Sequence, residues 1–198
     1  MVTAISNAQI PGRQPGGRRP APGDLRLVQA FVNTFWDLDG GGGEQLVSPA
    51  ALAEWLAAHG LVEAGARLGR ADLERALDVR EGLRALLFVN NGTAADQGAI
   101  ERLNTALRAP GLHVQLDAAA PPGFSALRRD FDAALASIAT IVAVAQIDGS
   151  WHRLKACPGV HCGWAFYDHS RNQSGSWCSM SVCGSRAKAR EYRRRNRQ

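Results

Sequence analysis

The residues with the most distinctive chemistry are four cysteines near the C-terminus. Cys157 and Cys162 form one pair, Cys178 and Cys183 form a second, and fifteen residues separate the two pairs. They are the only cysteines in the chain of 198 residues. A structural zinc ion takes four thiolates in a closed tetrahedron, and two short pairs joined by a loop supply that geometry. The spacing therefore predicts one structural Zn²⁺ that helps to fold a short polar segment.

Other uses of four thiols compete with zinc at this stage. An iron–sulfur cluster also takes four cysteine ligands. Two disulfides would need an oxidising compartment, whereas residues 1–22 contain no apolar run typical of a secretory signal. Four unrelated buried thiols are disfavoured by their clustering in one quarter of the chain. His161, between the first two cysteines, could replace one as a ligand, although a solvated loop histidine is the simpler interpretation.

Catalysis is disfavoured by the same four ligands. If all four bind one zinc ion, the tetrahedron is full and no position remains for a reactive water. The upstream part of the chain contains no HExxH, GxSxG or dinucleotide-binding glycine motif. We therefore expect that the protein is not an enzyme.

Charge is distributed unevenly along the chain. Residues 151–198 contain ten Lys or Arg and two acids, residues 1–23 contain three Arg and no acid, and residues 24–150 contain ten Arg and sixteen acids. A basic end attracts phosphate backbones, although a solvated basic tail would have the same composition. We expect nucleic-acid contacts from eight basic residues of this C-terminal segment: Arg171, Arg186, Lys188, Arg190, Arg193, Arg194, Arg195 and Arg197.

The elements that position these residues are mostly helical. Apolar spacing predicts five helices upstream of the cysteines, over residues 24–37, 49–59, 70–90, 95–108 and 130–147. The fifth is apolar on most sides, so we expect it to be central. Seven apolar residues of the third and fifth helices should be buried together: Leu73, Leu77, Leu83, Phe131, Leu135, Ile138 and Val142. Alternation predicts a strand at 112–116 with a partner at 124–127. No apolar run is long enough to cross a bilayer. Free cysteines without a secretory signal lead us to expect a cytoplasmic protein.

The cysteine segment is predicted to be a treble-clef-like zinc finger. We expect a knuckle at 157–162, a strand at 164–167 that returns at 176–177, and a helix over 182–195 that carries the second cysteine pair. The fold class is therefore mainly α with a small β-hairpin. The predicted organisation is a disordered tail (1–23), a helical N-terminal domain (24–150) and a C-terminal zinc finger (151–198).

Arg80 lies within the apolar stripe of the third predicted helix. A buried cation needs a partner. That partner is either an acid of the same domain or an anionic ligand held in a pocket with Asn33 and Trp55.

A known sequence motif matches six segments of the last fifty residues: 148–151, 153–157, 162–168, 170–172, 177–180 and 183–188. Through these segments the chain resembles the CGNR zinc-finger family of bacterial proteins. Ser185 stands where the family has the asparagine of its name, which leaves the four cysteines in place. The upstream part, through residues 31–34 and Arg80, resembles the ABATE-type domain usually fused to this finger.

This resemblance implies a stress-related transcriptional regulator, and it makes a small-molecule effector of the N-terminal domain conceivable. With the basic helix, it leads to the hypothesis of a zinc-binding, DNA-binding regulator. The alternative is a protein- or RNA-binding adaptor in which the finger is only a structural clip.

Overall fold

A computed structural model describes residues 14–37, 43–108 and 130–196. Helix accounts for 56% of the described residues and strand for 6%, which confirms the predicted mainly α class. None of the helices in these ranges is long and apolar enough to cross a membrane. The helices are α1 (Leu25–Val32), α2 (Pro49–Ala58), α3 (Arg70–Asn90), α4 (Gln97–Ala106), α5 (Phe131–Ile147) and α6 (Ser185–Arg195), and the strands are β1 (Phe35–Trp36), β2 (Gly43–Glu44), β3 (Leu154–Ala156) and β4 (Ala165–Tyr167).

Capping side chains set several helix starts. Ser48 accepts a hydrogen bond from the backbone of Ala51, and Pro49 occupies the first position of α2. Asp96 and Asp130 cap α4 and α5 in the same way. Asp24, which precedes α1, makes no such bond. That helix also ends earlier than predicted, at Val32, because the chain turns there into the short β1–β2 pair.

The central helix is α3, and the prediction that α5 is central was wrong. α3 packs against α1, α2, α4 and α5 and against β3. α5 packs against α1 and α3 but exposes Val144 and Ile147. With 21 residues, α3 is long enough to reach every layer of the body, whereas apolar composition alone does not fix which helix lies in the middle.

Close packing between α3 and α4 depends on Gly82. A Cβ atom at this position would lie 2.9 Å from the carbonyl oxygen of Ala99 and would overlap the side chain of Leu103. The absent side chain therefore lets the two helices approach each other.

The predicted core is largely confirmed. Leu83, Phe131, Leu135, Ile138 and Val142 are buried in one cluster. The two remaining members of the predicted core, on the first turns of α3, are partly buried at the edge of that cluster: Leu73 and Leu77.

The hairpin of the finger differs from its prediction. The strand predicted at 164–167 is present as β4, but its antiparallel partner is β3, with Leu154 opposite Tyr167 and Ala156 opposite Ala165. The predicted return at 176–177 was wrong, since β3 already pairs with β4 and the first cysteine pair forms the connection between them.

The hairpin shares the core of the helices. Its apolar residues Leu154, Ala156, Ala165 and Tyr167 belong to the same buried cluster as the helices. The division of the chain at residue 150 stays a prediction, and both sides of it contribute to one core.

Residues 14–23 were predicted to be part of a disordered tail, and this was wrong. They form a turn at Pro15–Gly17 and bury Gln14 and Ala21. Composition indicated disorder, but hydrogen bonds to the finger hold this segment in place. Residues 1–13, the predicted strands at 112–116 and 124–127, and Arg197 lie outside the described residues.

Candidate functional site

The four cysteines converge on one point. Their Sγ atoms all lie within 4.8 Å of one another, and all four residues are buried with free thiols. The Sγ–Sγ distance is 3.6 Å between Cys162 and Cys178 and 3.7 Å between Cys178 and Cys183. A tetrahedral zinc ion with Zn–S bonds of about 2.3 Å requires sulfur–sulfur edges of about 3.8 Å. The donor set and its spacing fit one structural zinc ion, as predicted.

The first pair is held by the turn that joins β3 to β4. Cys157 follows β3 and donates its backbone N–H to the carbonyl of Trp164 at 2.9 Å, which extends the hairpin by one more bond. Cys162 donates to the carbonyl of Gly159 at 2.9 Å. A Cβ atom on Gly159 would lie 3.1 Å from Sγ of Cys183, so glycine at this position leaves room for the sulfurs.

The second pair lies at the start of the last helix. Cys178 precedes a π-helical segment, Met180–Gly184, and Cys183 lies within it. Ser179 caps this segment by accepting a hydrogen bond from the backbone of Val182. The segment continues directly into α6, so a metal ion held by Cys183 also fixes the base of that helix.

Proximity and burial separate the pKa values of the thiols. Hydrogen bonds from Cys162 and Cys178 lower the pKa of the Cys157 thiol to about 2. The pKa of Cys162 is raised to about 12, chiefly because its proton is shared with Cys157. The pKa of Cys178 is raised for the same reason, and burial raises that of Cys183. The thiols with raised pKa retain their protons, and zinc would displace those protons when it binds all four sulfurs.

His161 takes no part in this cluster. Among the described residues, the metal-binding group found consists of the four cysteines alone. His161 is exposed and adopts a left-handed backbone conformation with φ of 56°. The interpretation of His161 as a solvated loop histidine is confirmed.

A buried ion pair orders the loop between the two cysteine pairs. Nζ of Lys155 lies 3.0 Å from Oδ2 of Asp168, and it also donates to the carbonyls of Gln173 and Gly175. Asp168 accepts backbone hydrogen bonds from Ser170 and Gly175. Burial alone would raise the pKa of Asp168, but these bonds and Lys155 lower it to about 2. This pair was not predicted from the sequence, although a lysine within a short apolar segment, Lys155, was a signal for it.

Hydrogen bonds connect the helical body directly to the finger. Arg84 is buried on α3 and donates to the carbonyl of Gly163 at 2.6 Å and to that of Val32 at 2.7 Å. Asn33 accepts from the backbone N–H of Ala165 at 2.7 Å and donates to its carbonyl at 2.9 Å. These bonds fix the first cysteine pair relative to α1 and α3.

Arg80 forms the ion pair that was one of its two predicted roles. Its guanidinium donates to both carboxylate oxygens of Glu44 at 2.7 Å. Asn33 uses its amide on β4, and Trp55 stacks on His59 at 3.9 Å between ring centroids. The ion-pair alternative is therefore confirmed. A ligand pocket formed by Arg80, Asn33 and Trp55 stays a prediction that these contacts do not support.

The last helix presents a basic surface. α6 contains no buried residue, and its partly buried positions are Ala187 and Glu191. Four basic side chains of the helix are exposed: Arg186, Lys188, Arg190 and Arg193. Arg194 and Arg195 are also exposed, but they pair with Glu191 at 2.9 and 2.8 Å. Arg171 is exposed in the loop that joins the two cysteine pairs.

The fold and the cysteine site define a helical domain joined to a four-cysteine zinc finger. Two family models match these parts: CGNR zinc finger over residues 153–196, and ABATE, described as "Putative stress-induced transcription regulator", over residues 25–147. The second match covers more than half of the chain, and the protein therefore belongs to the ABATE family. Both predicted resemblances are confirmed, and both matches are to finger or regulator domains rather than enzymes. No curated protein matches the sequence.

Proposed function

We propose that this protein is a DNA-binding transcription regulator that contacts DNA through α6. The observation that carries the proposal is the exposed row of Arg186, Arg190 and Arg193, which recur at the spacing of one helical face. A helix with such a face fits the major groove, where arginines bind phosphates and guanine edges.

The zinc ion serves this proposal as a structural anchor. Cys183 lies two residues before the start of α6, so the metal fixes the position and direction of the helix. Arg84 and Asn33 connect the finger in turn to the helical body. A helix held in this way loses little conformational freedom on binding, which favours affinity. We propose no catalysis, since four thiolates fill the zinc coordination sphere.

The basic residues of the finger are expected to contribute unequally. Arg194 and Arg195 share the carboxylate of Glu191, which offsets part of their charge. Lys188 lies on a different side of α6 from the arginine row, and Arg171 extends from the loop before the helix. We expect Lys188 and Arg171 to bind phosphates at the edge of the contact, where they position the protein without reading sequence.

The cellular setting follows from the thiols. Zinc-bound thiolates persist where the compartment keeps cysteines reduced, so we propose a cytoplasmic location. A small-molecule effector stays a prediction drawn from the family resemblance.

The proposal is tested by selecting genomic DNA fragments on the purified zinc-loaded protein and sequencing them. A regulator enriches fragments that share a motif, and fluorescence anisotropy then gives its affinity for that motif and for a scrambled duplex. Zinc analysis and circular dichroism on the same sample establish that the metal and the fold are present. If the intact protein has no measurable DNA affinity at low salt, the regulator hypothesis is rejected and the adaptor hypothesis replaces it.

A further inference from the structure

Residues 14–21, here called the N-terminal strap, cross the finger before α1 begins. The strap lies outside both family matches, which start at residues 25 and 153. Its turn requires glycines, since Gly16 and Gly17 have φ of 71° and 68°. A Cβ atom on Gly16 would lie 3.1 Å from Oγ and 3.3 Å from Cα of Ser179, so the strap lies against the residue that follows Cys178.

One end of the strap is bonded to the first cysteine pair. Oε1 of Gln14, a residue only 6% exposed, accepts a hydrogen bond from the indole N–H of Trp164 at 2.9 Å. The carbonyl of Trp164 in turn accepts the backbone N–H of Cys157 at 2.9 Å. Gln14 thereby helps to fix the position of Trp164, which is hydrogen-bonded to the first zinc ligand, Cys157.

The middle of the strap is bonded to the second cysteine pair. Arg18 donates from Nε to the carbonyl of Cys178 at 2.9 Å and from Nη2 to that of Trp177 at 2.8 Å. Its guanidinium also lies over the ring of Phe166, 4.8 Å from the centroid. Phe166 is buried in the same cluster as the four cysteines, so Arg18 covers the finger directly beside the metal site.

The strap is also fixed to the helical body. Gln29 of α1, which is 2% exposed, accepts the backbone N–H of Ala21 at 2.7 Å and donates to Gln14 at 3.1 Å. The same side-chain amide donates to the carbonyl of Ala165 on β4 at 3.0 Å. One buried glutamine therefore bonds both ends of the strap and the hairpin of the finger.

We propose that the strap clamps the two cysteine pairs together and that Arg18 is its positioning residue for the zinc site. Four thiolates around Zn²⁺ carry a net negative charge, which a nearby guanidinium compensates. The two charge-assisted bonds of Arg18 hold the backbone of Cys178 in one orientation. Residues that orient metal ligands from behind change metal affinity by about 10- to 100-fold when replaced.

The test measures zinc release from the full-length, zinc-loaded protein to an excess of a colorimetric chelator at constant pH. Arg18→Ala is expected to release zinc at least about tenfold faster than the wild type. Arg18→Lys is expected to be faster than the wild type as well, because an ammonium group keeps the charge but cannot reproduce the planar two-donor contact. Arg19→Ala, which removes an exposed arginine next to Arg18, is the matched control and should release zinc at the wild-type rate.

Equal release rates for Arg18→Ala and the wild type would overturn the proposal. If Arg18→Lys releases zinc as slowly as the wild type while Arg18→Ala releases it faster, the assigned geometry is overturned and only a charge effect remains. If Arg18→Ala does not fold, Gln14→Ala supplies the test, since it removes the contact to Trp164 without touching a cation. The zinc readout requires no DNA, so its outcome is independent of the proposed regulatory function.

Discussion

Arg84, in the middle of the central helix, donates a 2.6 Å hydrogen bond to the carbonyl of Gly163, the residue that follows the zinc ligand Cys162. The same side chain also bonds the carbonyl of Val32 at the end of α1. Arg84 is buried, so these bonds are screened little by water. The zinc knuckle is therefore coupled to the helical body, and loss of the metal should destabilise both.

Replacing Cys178 with serine tests the metal site and this coupling together. If the finger were an independent unit, it would unfold in this variant and the body would stay intact. Because one of four ligands is removed, we expect zinc content to fall well below the roughly one ion per chain of a closed site. Because β3 and β4 share the core of the body, we also expect amide exchange to accelerate in α3.

Zinc analysis and hydrogen-exchange mass spectrometry make this measurement, with His161→Asn as the control. His161 is exposed and outside the cluster, and asparagine tolerates its left-handed backbone. Full zinc content in Cys178→Ser would contradict the four-ligand assignment, and unchanged exchange in α3 would contradict the coupling.

Two substitutions on α5 test the core. Leu135 is fully buried, so Leu135→Ala should lower the free energy of unfolding by about 2–5 kcal/mol. Ile147 lies on the same helix but is 86% exposed, so Ile147→Ala should change it by less than about 0.5 kcal/mol. Urea unfolding followed by circular dichroism compares the two variants. Similar values for both would mean that the buried face of α5 is assigned incorrectly.

His59 should make stability depend on pH. Burial lowers its pKa below 6.5, against the opposing bond to the carbonyl of Trp55, and its Nε2 has no partner among the described residues. The unfolded chain therefore binds a proton more readily than the folded one. Stability is complete above about pH 6.5 and decreases as pH falls through that value toward the lower folded pKa.

The measurement compares the free energy of unfolding of the wild type and His59→Phe between about pH 7.5 and 5.5. Phenylalanine keeps a ring against Trp55 but cannot take a proton. Zinc release at low pH affects both proteins alike, so the difference between their curves isolates His59. The stability of the wild type relative to His59→Phe should decrease as pH falls, and parallel curves would refute the assigned pKa shift.

Features carried by local spacing could be predicted from the sequence, and features carried by long-range polar contacts could not. The bounds of α3 follow from its apolar stripe, and the zinc ligands follow from the spacing of the four cysteines. The partner of β4 did not, because Lys155 interrupts the apolar pattern of β3 and its acid, Asp168, lies thirteen residues away.

The order of the N-terminal strap also depends on long-range polar contacts that could not be predicted. Its Pro15-Gly16-Gly17 run has the composition of disordered segments, and the same residues build a turn. What orders the segment is a set of single hydrogen bonds from Gln14 and Arg18 to residues more than 140 positions later. No local pattern encodes bonds of that separation.

The DNA proposal is tested most sharply by salt dependence. Arg190→Ala with Arg193→Ala removes two cations from one face of α6 without touching a zinc ligand, so zinc content and helicity should survive. If both arginines bind phosphates, the slope of log affinity against log salt should become shallower by about two, equally for all sequences. If one arginine reads a base edge, discrimination at one position should relax by about 1–3 kcal/mol instead.

The matched control removes two exposed arginines from the acidic body, Arg67 and Arg70, and changes the net charge by the same amount. A contact made through α6 predicts that this control keeps the wild-type slope, because these charges lie outside the proposed interface. A general charge effect predicts that both double variants change alike. Fluorescence anisotropy across a salt series separates these outcomes. Equal slopes together with equal base discrimination in all three proteins would show that Arg190 and Arg193 do not contact DNA.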